Sequence, residues 1–153
     1  MLTNPADINR LTHDIIGGAM RVHRVVGRGV LESACGICLD VELTLRGHTV
    51  KRNVPVPLVY RGTRIEKAYW MDMLVDDRVV VELKCVERLL FVHKAQLLTY
   101  LRLANKPVGL LINFNEEVLK DGIKRVVNPD CGRHFEEQIH ADDSSAQIDD
   151  PKP

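Results

Sequence analysis

Polar residues stand at fixed intervals in the middle of the chain: Asp72, then Glu82 and Lys84, then Gln96 and Tyr100. The first three lie within two apolar, β-branched runs, MDMLV and RVVVELK. Charged side chains in such runs are costly to bury unless they pair with one another or bind a metal ion. Two carboxylates and a lysine on one face of a sheet can hold a divalent cation beside a phosphate. The spacing therefore indicates metal-dependent cleavage of phosphodiesters.

The hairpin that would carry these groups is predicted from the same two runs. The predicted strands are Ala68–Val75 and Arg78–Cys85, and Asp76-Asp77 forms the short connection between them. Charged residues at the connection and apolar residues on either side are typical of a β-hairpin.

The register of this hairpin decides whether the acidic groups meet. A three-residue loop pairs Val75 with Val79, and Asp72 then lies directly opposite Glu82. Side chains alternate across a strand, so Lys84 shares their face. A shift of one residue would separate the groups, which makes the register a testable prediction.

The remaining elements frame the hairpin. Asn4-Pro5 is typical of an N-cap followed by proline in the first helical turn. The other predicted elements are a first helix to about Val26, a largely apolar helix over LESACGICLDVELTLRG that closes at Gly47, an edge or bulged strand Thr49–Tyr60, a helix Phe91–Ala104, a buried strand Val108–Phe114, a helical turn Glu116–Lys120 and a last short strand Ile123–Val127. This order predicts an α/β domain with a central mixed β-sheet flanked by helices.

Length and charge suggest one domain and a tail. A chain of 153 residues with 45% hydrophobic content suits a single globular domain, which we assign to residues 1–128. Residues 129–153 form an acidic tail that we expect to be disordered. Residues 136–153 carry a net charge of −5, which leaves +5 for residues 1–135. This moderately basic body is compatible with an anionic partner, but a solvated surface explains it equally well.

We expect a soluble, cytoplasmic protein with no membrane association. The N-terminal segment MLTNPADINR has no apolar leader, and no stretch approaches the ~18 apolar residues that a membrane span needs. The four cysteines are then expected to be reduced.

Cys35 and Cys38 allow a second class of function. A zinc site needs two further ligands, but Cys85 and Cys131 stand alone, without a second C-x-x-C. A redox pair would need an accessible cysteine with a lowered pKa, and thioredoxin-like pairs begin a helix that follows a strand. We therefore interpret Cys35 and Cys38 as small buried side chains, with redox chemistry as an alternative.

The ordered set of motifs resembles the PD-(D/E)XK nuclease superfamily and, more narrowly, the small bacterial GxxExxY family. The matching segments are Gly29-Val30-Leu31-Glu32, VKRNVPVPLVYRG at 50–62, Asp72, VELK at 81–84, HKAQLLTYL at 93–101, GLLINFN at 109–115 and Gly122-Ile123-Lys124-Arg125. Together they cover about residues 8–128. The resemblance implies a restriction-endonuclease-like core, a mixed sheet with helices on both sides.

The resemblance also implies roles at the acidic positions. Asp72 and Glu82 would bind Mg²⁺, for which Mn²⁺ would substitute, with the Leu83 carbonyl and Glu32 as further ligands. Lys84 would orient or help to deprotonate the attacking water. The alternative for Lys84 is a surface ion pair with Glu82 or Asp72, worth about 0–1 kcal/mol.

Five further positions acquire expectations from the resemblance. Gln96 and Tyr100 would contact the scissile end or order the metal shell. His23 and His93 match family histidines and would reach the substrate, although a hydrogen-bonded structural role is an equal alternative. Trp70 stands where the family usually carries an arginine, and it could stack on a base or simply pack.

We therefore expect a Mg²⁺-dependent nuclease that acts on DNA. The main alternative is a nuclease fold that binds nucleic acid or protein without efficient cleavage, because Trp70 and Cys35 both depart from the family pattern. Such a protein would tolerate loss of Asp72 or Lys84. A homodimer remains an option, since pairing two sites suits a duplex substrate. Lys51, Arg52, Arg61 and Arg64 surround the first strand and could line a nucleic-acid path, although exposed solubilising charge is their default interpretation.

Overall fold

The computed structural model describes residues 4–132, which form one mixed five-stranded sheet flanked by three α-helices. The elements are α1 (Pro5–Val26), α2 (Glu32–Leu45), β1 (Val50–Tyr60), β2 (Thr63–Val75), β3 (Val79–Lys84), α3 (Phe91–Ala104), β4 (Val108–Asn113), a 3₁₀ helix (Leu119–Gly122) and β5 (Ile123–Val127). The strand order is β1-β2-β3-β4-β5, and only β3 and β4 are parallel, joined through α3. The predicted α/β architecture is confirmed.

Helices cover both faces of the sheet and create two hydrophobic cores. The first lies between the sheet and the two N-terminal helices, and we call this side the α1–α2 face; its members include Leu11, Ile15, Leu39, Leu43, Val79, Val81 and Ile112. The second lies beneath α3, on what we call the α3 face; its members include Val56, Val80, Leu97, Leu101 and Leu111. β3 and β4 sit between the two cores, which explains their nearly continuous apolar sequences.

The helix starts and ends follow local chemistry. The side chain of Asn4 accepts a hydrogen bond from the Ala6 amide (3.0 Å), Pro5 occupies the first turn, and Gly27 ends α1 at a φ of 73°. This helix is confirmed as predicted. The second helix packs one side against the sheet through Leu39 and Leu43, while Val41 and Leu45 on its other side are exposed.

The strand boundaries differ from prediction mainly at β2. The bounds of α3 and β5 are those predicted, but β2 begins at Thr63 rather than Ala68. The extra residues pair with β1 across a turn at Arg61-Gly62, both of which have positive φ. β1 is an edge strand with an irregular register between Val56 and Leu58, as its prolines indicated. The predicted helical turn Glu116–Lys120 is found as the 3₁₀ helix Leu119–Gly122, which begins three residues later and ends two residues later.

The described chain continues slightly past the predicted domain end. Asn128 is buried and its amide donates to the carbonyls of Leu101 and Lys106, while the Gly132 amide donates to the Asn105 side chain. These contacts fasten residues 128–132 to the end of α3. The tail expected beyond them, residues 133–153, lies outside the described residues. Within residues 4–132, no helix combines the length and apolarity needed to cross a membrane.

Candidate active site

A tight turn sets the register of β2 and β3. Asp76 and Asp77 have φ angles of 50° and 56°. Positive φ at both central residues is the pattern of a type I′ turn, whose twist matches that of the two strands it connects. The Asp76 carboxylate accepts a hydrogen bond from the Thr49 amide (2.8 Å), which helps to hold this uncommon conformation. Val75 pairs with Val79. The predicted register is confirmed.

The two strands part where the acidic residues meet. Regular pairing ends at Met73 and Val81, one position before Asp72 and Glu82. There the Asp72 amide donates to Glu82 Oε1 (3.0 Å), and the Leu83 amide donates to Asp72 Oδ2 (2.9 Å). Side-chain carboxylates thus take the place of backbone carbonyls as acceptors. The two carboxyl groups also interact with each other through their side chains.

A local break in the alternation of side chains along β2 brings Asp72 to this position. Met73 packs in the core of the α1–α2 face, but Met71 packs in the core of the α3 face. In a regular strand these two side chains would share a face. Asn53, across from Asp72 on β1, has a φ of 51°, so both strands are distorted at the same level. The distortion places Asp72 where the strand changes sides.

The buried carboxylate is electrostatically unusual. Glu82 is only 6% exposed, and burial raises its pKa from 4.5 to about 8. The negative charge of Asp72 raises the pKa further, while the positive charge of Lys84 acts in the opposite direction. Two carboxylates held together in a poorly solvated place repel each other unless a proton or a cation lies between them.

Lys84 ends β3 beside this pair. Its side chain is half-buried, and in the parallel register it lies next to Asn113 of β4. Its charge reaches Glu82, yet within residues 4–132 its ammonium forms no ion pair. The alternative interpretation, a Lys84 ion pair with Glu82 or Asp72, is therefore not observed.

A cleft of about 220 Å³ opens next to Asp72 on the α1–α2 face. It is lined by Glu32, Ser33, Gly36, Arg52, Asn53, Asp72 and Leu83. Glu32 stands in the first turn of α2 and is exposed, so it opens onto the same cleft as Asp72. Across residues 4–132, however, no three Asp, Glu, His or Cys side chains are gathered closely enough to hold a metal by themselves. Two carboxylates still fit a Mg²⁺ ion, which usually keeps several waters and takes other ligands from a phosphate.

Tyr100 approaches the acidic pair from the other helical layer. It is 5% exposed, and burial raises its pKa to about 12, with further contributions from the charges of Glu82 and Asp72. It therefore stays a neutral hydroxyl close to the site. Gln96, one turn earlier on α3, is exposed, and its side chain contacts no described group through a hydrogen bond.

The two histidines have structural partners. His93 Nδ1 accepts a hydrogen bond from the Leu90 amide (3.0 Å) and so caps the start of α3. His23 Nε2 lies 2.8 Å from the Glu116 carbonyl oxygen, and its ring packs obliquely against Phe114. Each histidine keeps one ring nitrogen without a described partner. The structural interpretation accounts for both positions, and a role toward substrate stays a prediction.

Trp70 lies on β2, two residues before Asp72. Its side chain is 49% exposed, and the Lys67 ammonium lies 5.8 Å from the ring centroid. Its neighbours Tyr69 and Met71 contribute to the core of the α3 face instead. Half of this indole surface is thus available for contact with a partner.

The cysteines do not support the redox or zinc alternatives. Cys35 is buried, and burial raises its pKa to about 12, so its thiol is unreactive. The pKa of Cys85 is also raised by burial. No disulfide forms among the four cysteines, all of which the structure describes. The interpretation as a small buried side chain is confirmed for Cys35, whereas Cys38 is only half-buried and packs against the core of the α1–α2 face.

One positioning residue was missed in the sequence. Asn113 interrupts the apolar run of β4 and is fully buried. Its side chain accepts from the amides of Val86 (3.1 Å) and Asn115 (3.2 Å) and donates to the Val86 carbonyl (2.9 Å). It thereby holds the chain immediately after Lys84. An amide within a buried strand is the signal that could have identified it, because such a group needs partners.

Comparison with known protein families identifies the family of this chain. A family model described as the PD-(D/E)XK nuclease superfamily matches residues 9–126, which include the hairpin, the cleft and the facing side of α3. Neither the curated proteins nor the solved structures gave a significant match to this chain.

Proposed function

The chain belongs to the PD-(D/E)XK nuclease superfamily, and from that premise we propose that it is a metal-dependent nuclease that hydrolyses phosphodiester bonds of DNA. Within the superfamily, we propose that it falls in the GxxExxY family, to which its motifs are similar.

The observation that carries the proposal is the carboxylate pair. Asp72 and Glu82 are held together by each other's strands, and the pKa of Glu82 is raised to about 8. Near pH 7 the metal-free pair therefore keeps a proton, because two carboxyl groups this close resist ionising together. A divalent cation would relieve the repulsion, and a cleft beside Asp72 offers room for a phosphate.

Each residue then has a role in the proposal. Asp72, Glu82 and the Leu83 carbonyl would hold Mg²⁺ or Mn²⁺, and Glu32 would complete the shell through water. When bound, the ion would neutralise phosphate oxygens and lower the pKa of a bound water. Lys84 would hold that water by hydrogen bonding and stabilise the negative charge that develops on the phosphate.

The facing helix and the exposed aromatic residue complete the proposed substrate site. Tyr100, neutral and close to the acidic pair, would donate its hydroxyl to a metal-bound water or a phosphate oxygen. Gln96 would contact the end of the nucleic-acid strand from its exposed position on the same helix. His93 and His23 would act from the edge of the site through their remaining nitrogens, and Trp70 would stack on a base.

The proposal also includes cytoplasmic location and, for a duplex substrate, pairing of two copies. The alternative is a protein with a nuclease fold that binds without cleaving. No contact among the described residues specifically supports this alternative. The two differ in how they respond to loss of Asp72 or Lys84.

The test is a cleavage assay on end-labelled single- and double-stranded DNA, with and without Mg²⁺ or Mn²⁺. Asp72→Asn and Glu82→Gln keep the size and hydrogen-bonding shape of the side chains but remove charge, so we expect cleavage to fall to background. Glu117→Gln, an exposed charge change, is the matched control and should cleave as the wild type does. Unchanged cleavage in Asp72→Asn, or no metal-dependent cleavage by the wild type, would contradict the proposal.

A further inference from the structure

Arg52 is a charged side chain that no intramolecular contact explains. It lies on β1, its side chain is half-buried, and its guanidinium forms no hydrogen bond or ion pair with any residue from 4 to 132. It lines the cleft together with Asp72 and Glu32, yet neither carboxylate lies within ion-pair distance. A guanidinium carries five donors, and partial burial without an acceptor costs free energy.

The neighbouring helix has no side chain at the place where Arg52 rests. A Cβ on Gly36 would lie 3.6 Å from Arg52 Nη2 and 3.9 Å from Nε, so the guanidinium lies next to Gly36 of α2. Glycine inside a helix costs about 1 kcal/mol relative to alanine. At Gly36 the absence of a side chain leaves the space that the Arg52 guanidinium occupies in the cleft.

The net charge of the cleft depends on whether its acidic residues bind a cation. Without a cation, Asp72 and Glu32 make the cleft negative and would attract Arg52. With a divalent cation on the carboxylates, the cleft becomes a site for an anion, and the unpaired guanidinium supplies a planar fork that matches two phosphate oxygens.

We propose that Arg52 binds a backbone phosphate of the nucleic acid, and that the strand enters the site between β1 and the first turn of α2. The inference rests on the proposed function for the phosphate at Asp72 and Glu82, and adds the residue that holds the strand and the side from which it arrives. The contact reads the phosphate alone and carries no sequence preference.

The binding test separates this contact from catalysis. Fluorescence anisotropy of a short labelled DNA strand is measured with Ca²⁺ in place of Mg²⁺, so that the strand stays intact. We expect Arg52→Ala to weaken binding roughly 10- to 100-fold, and Arg52→Lys to restore only part, because lysine lacks the fork. The slope of log affinity against log salt concentration should become less steep by about 1, which corresponds to the loss of one phosphate contact. Affinity and slope equal to those of the wild type would overturn the proposal.

Control variants distinguish loss of contact from loss of fold. Lys124→Ala removes one exposed positive charge from β5, at the opposite edge of the sheet, and should bind within about twofold of the wild type. Gly36→Gln should displace the guanidinium and behave as Arg52→Ala does. Circular dichroism and urea denaturation verify that each variant is folded. Normal binding by a folded Gly36→Gln together with a folded Arg52→Ala would also overturn the proposal.

The two proposals can fail separately. If the wild type cleaves DNA and Arg52→Ala cleaves it with the same KM and kcat, the Arg52 contact is wrong and the nuclease function stands. If the wild type binds DNA through Arg52 but cleaves nothing with Mg²⁺ or Mn²⁺, the phosphate contact stands and the nuclease function fails.

Discussion

At the scale of single residues, the site is built from groups that folding places in unfavourable surroundings. Glu82 is buried beside a like charge, and Lys84 is half-buried without an ion pair. Strongly shifted acids in a cleft are more common at functional sites than elsewhere, although structural networks can shift them too. Here the Glu82 and Asp72 side chains interact with each other and with the backbone amides of the opposite strand, and no further side chain of residues 4–132 forms a hydrogen bond with them.

The raised pKa of Glu82, about 8, makes the stability of the metal-free protein depend on pH. A carboxyl with a higher pKa in the folded state contributes stability that is complete below its unfolded pKa and is lost as the pH rises through the folded value. We expect the free energy of unfolding to fall between about pH 5 and pH 8 by roughly 2–4 kcal/mol. Urea denaturation of the wild type and Glu82→Gln checks this, since the variant should lack this part of the slope. Equal slopes would contradict the assignment.

Lys84 should act on the reaction and not on the metal. Lys84→Ala is expected to lower kcat by roughly 10²- to 10⁴-fold, because the attacking water loses its positively charged partner. Metal affinity should change little or rise slightly, since the removed charge repels the cation. Lys120→Ala, an exposed lysine on the 3₁₀ helix, is the control. Parallel loss of metal binding and kcat in Lys84→Ala would contradict this division of roles.

At the scale of elements, the hairpin could be predicted from sequence but its distortion could not. The turn chemistry of Asp76-Asp77 and the apolar runs beside it determine the register, and register alone brings Asp72 opposite Glu82. The distortion at Asn53 depends on a single left-handed residue within an otherwise extended strand. Asparagine tolerates that conformation but does not require it, so no pattern in the sequence announces it.

The conformation of Asn53 gives an element-scale prediction. Glycine adopts a φ of 51° without strain, whereas a β-branched residue does so at a cost of roughly 1–2 kcal/mol. Asn53→Gly should therefore keep both stability and cleavage, while Asn53→Val should lose stability by about that amount and lose cleavage as the strand straightens. Denaturation curves and the DNA assay measure both. If Asn53→Val cleaved as well as Asn53→Gly, the distortion would be irrelevant to the site.

The sequence misses the role of Asn113 and leaves those of His93 and Arg52 open between alternatives. The surroundings of these side chains are set by residues distant in the chain or by unpaired backbone groups. Polar types at these positions are compatible with surface, core or site. Which of these surroundings each residue has depends on how α2 packs on the sheet and on the path of the chain after β3.

At the scale of the whole molecule, the first helix and the hairpin turn are held together at a distance from the site. His48 bridges Asp14 of α1 and Asp76 of the hairpin turn. Burial alone would lower the pKa of His48, but hydrogen bonds and charges from both carboxylates outweigh it and raise the pKa above 6.5. The pKa of Asp14 is lowered in turn, mainly by its hydrogen bond with His48. The bridge fixes the end of the hairpin opposite to Asp72.

This bridge has its own pH dependence. A histidine with a raised pKa contributes stability that is complete below its unfolded value, about 6.5, and is lost as the pH rises through the folded value. His48→Gln should lower the free energy of unfolding by about 1 kcal/mol near pH 6, and by less at alkaline pH, because the pair is partly exposed. Urea denaturation at the two pH values measures the difference. An equal loss at both would contradict a charged bridge.

The most direct test of the central claim, that Asp72 and Glu82 form a divalent-cation site, is a calorimetric titration with Mn²⁺ and Mg²⁺. The wild type and Glu117→Gln should bind one ion per chain, with proton release near pH 7, because the pKa of Glu82 lies at about 8. Asp72→Asn and Glu82→Gln should show no heat of binding above that of dilution. Binding that survives in both charge-removing variants, or is absent from the wild type even with DNA present, would contradict the account.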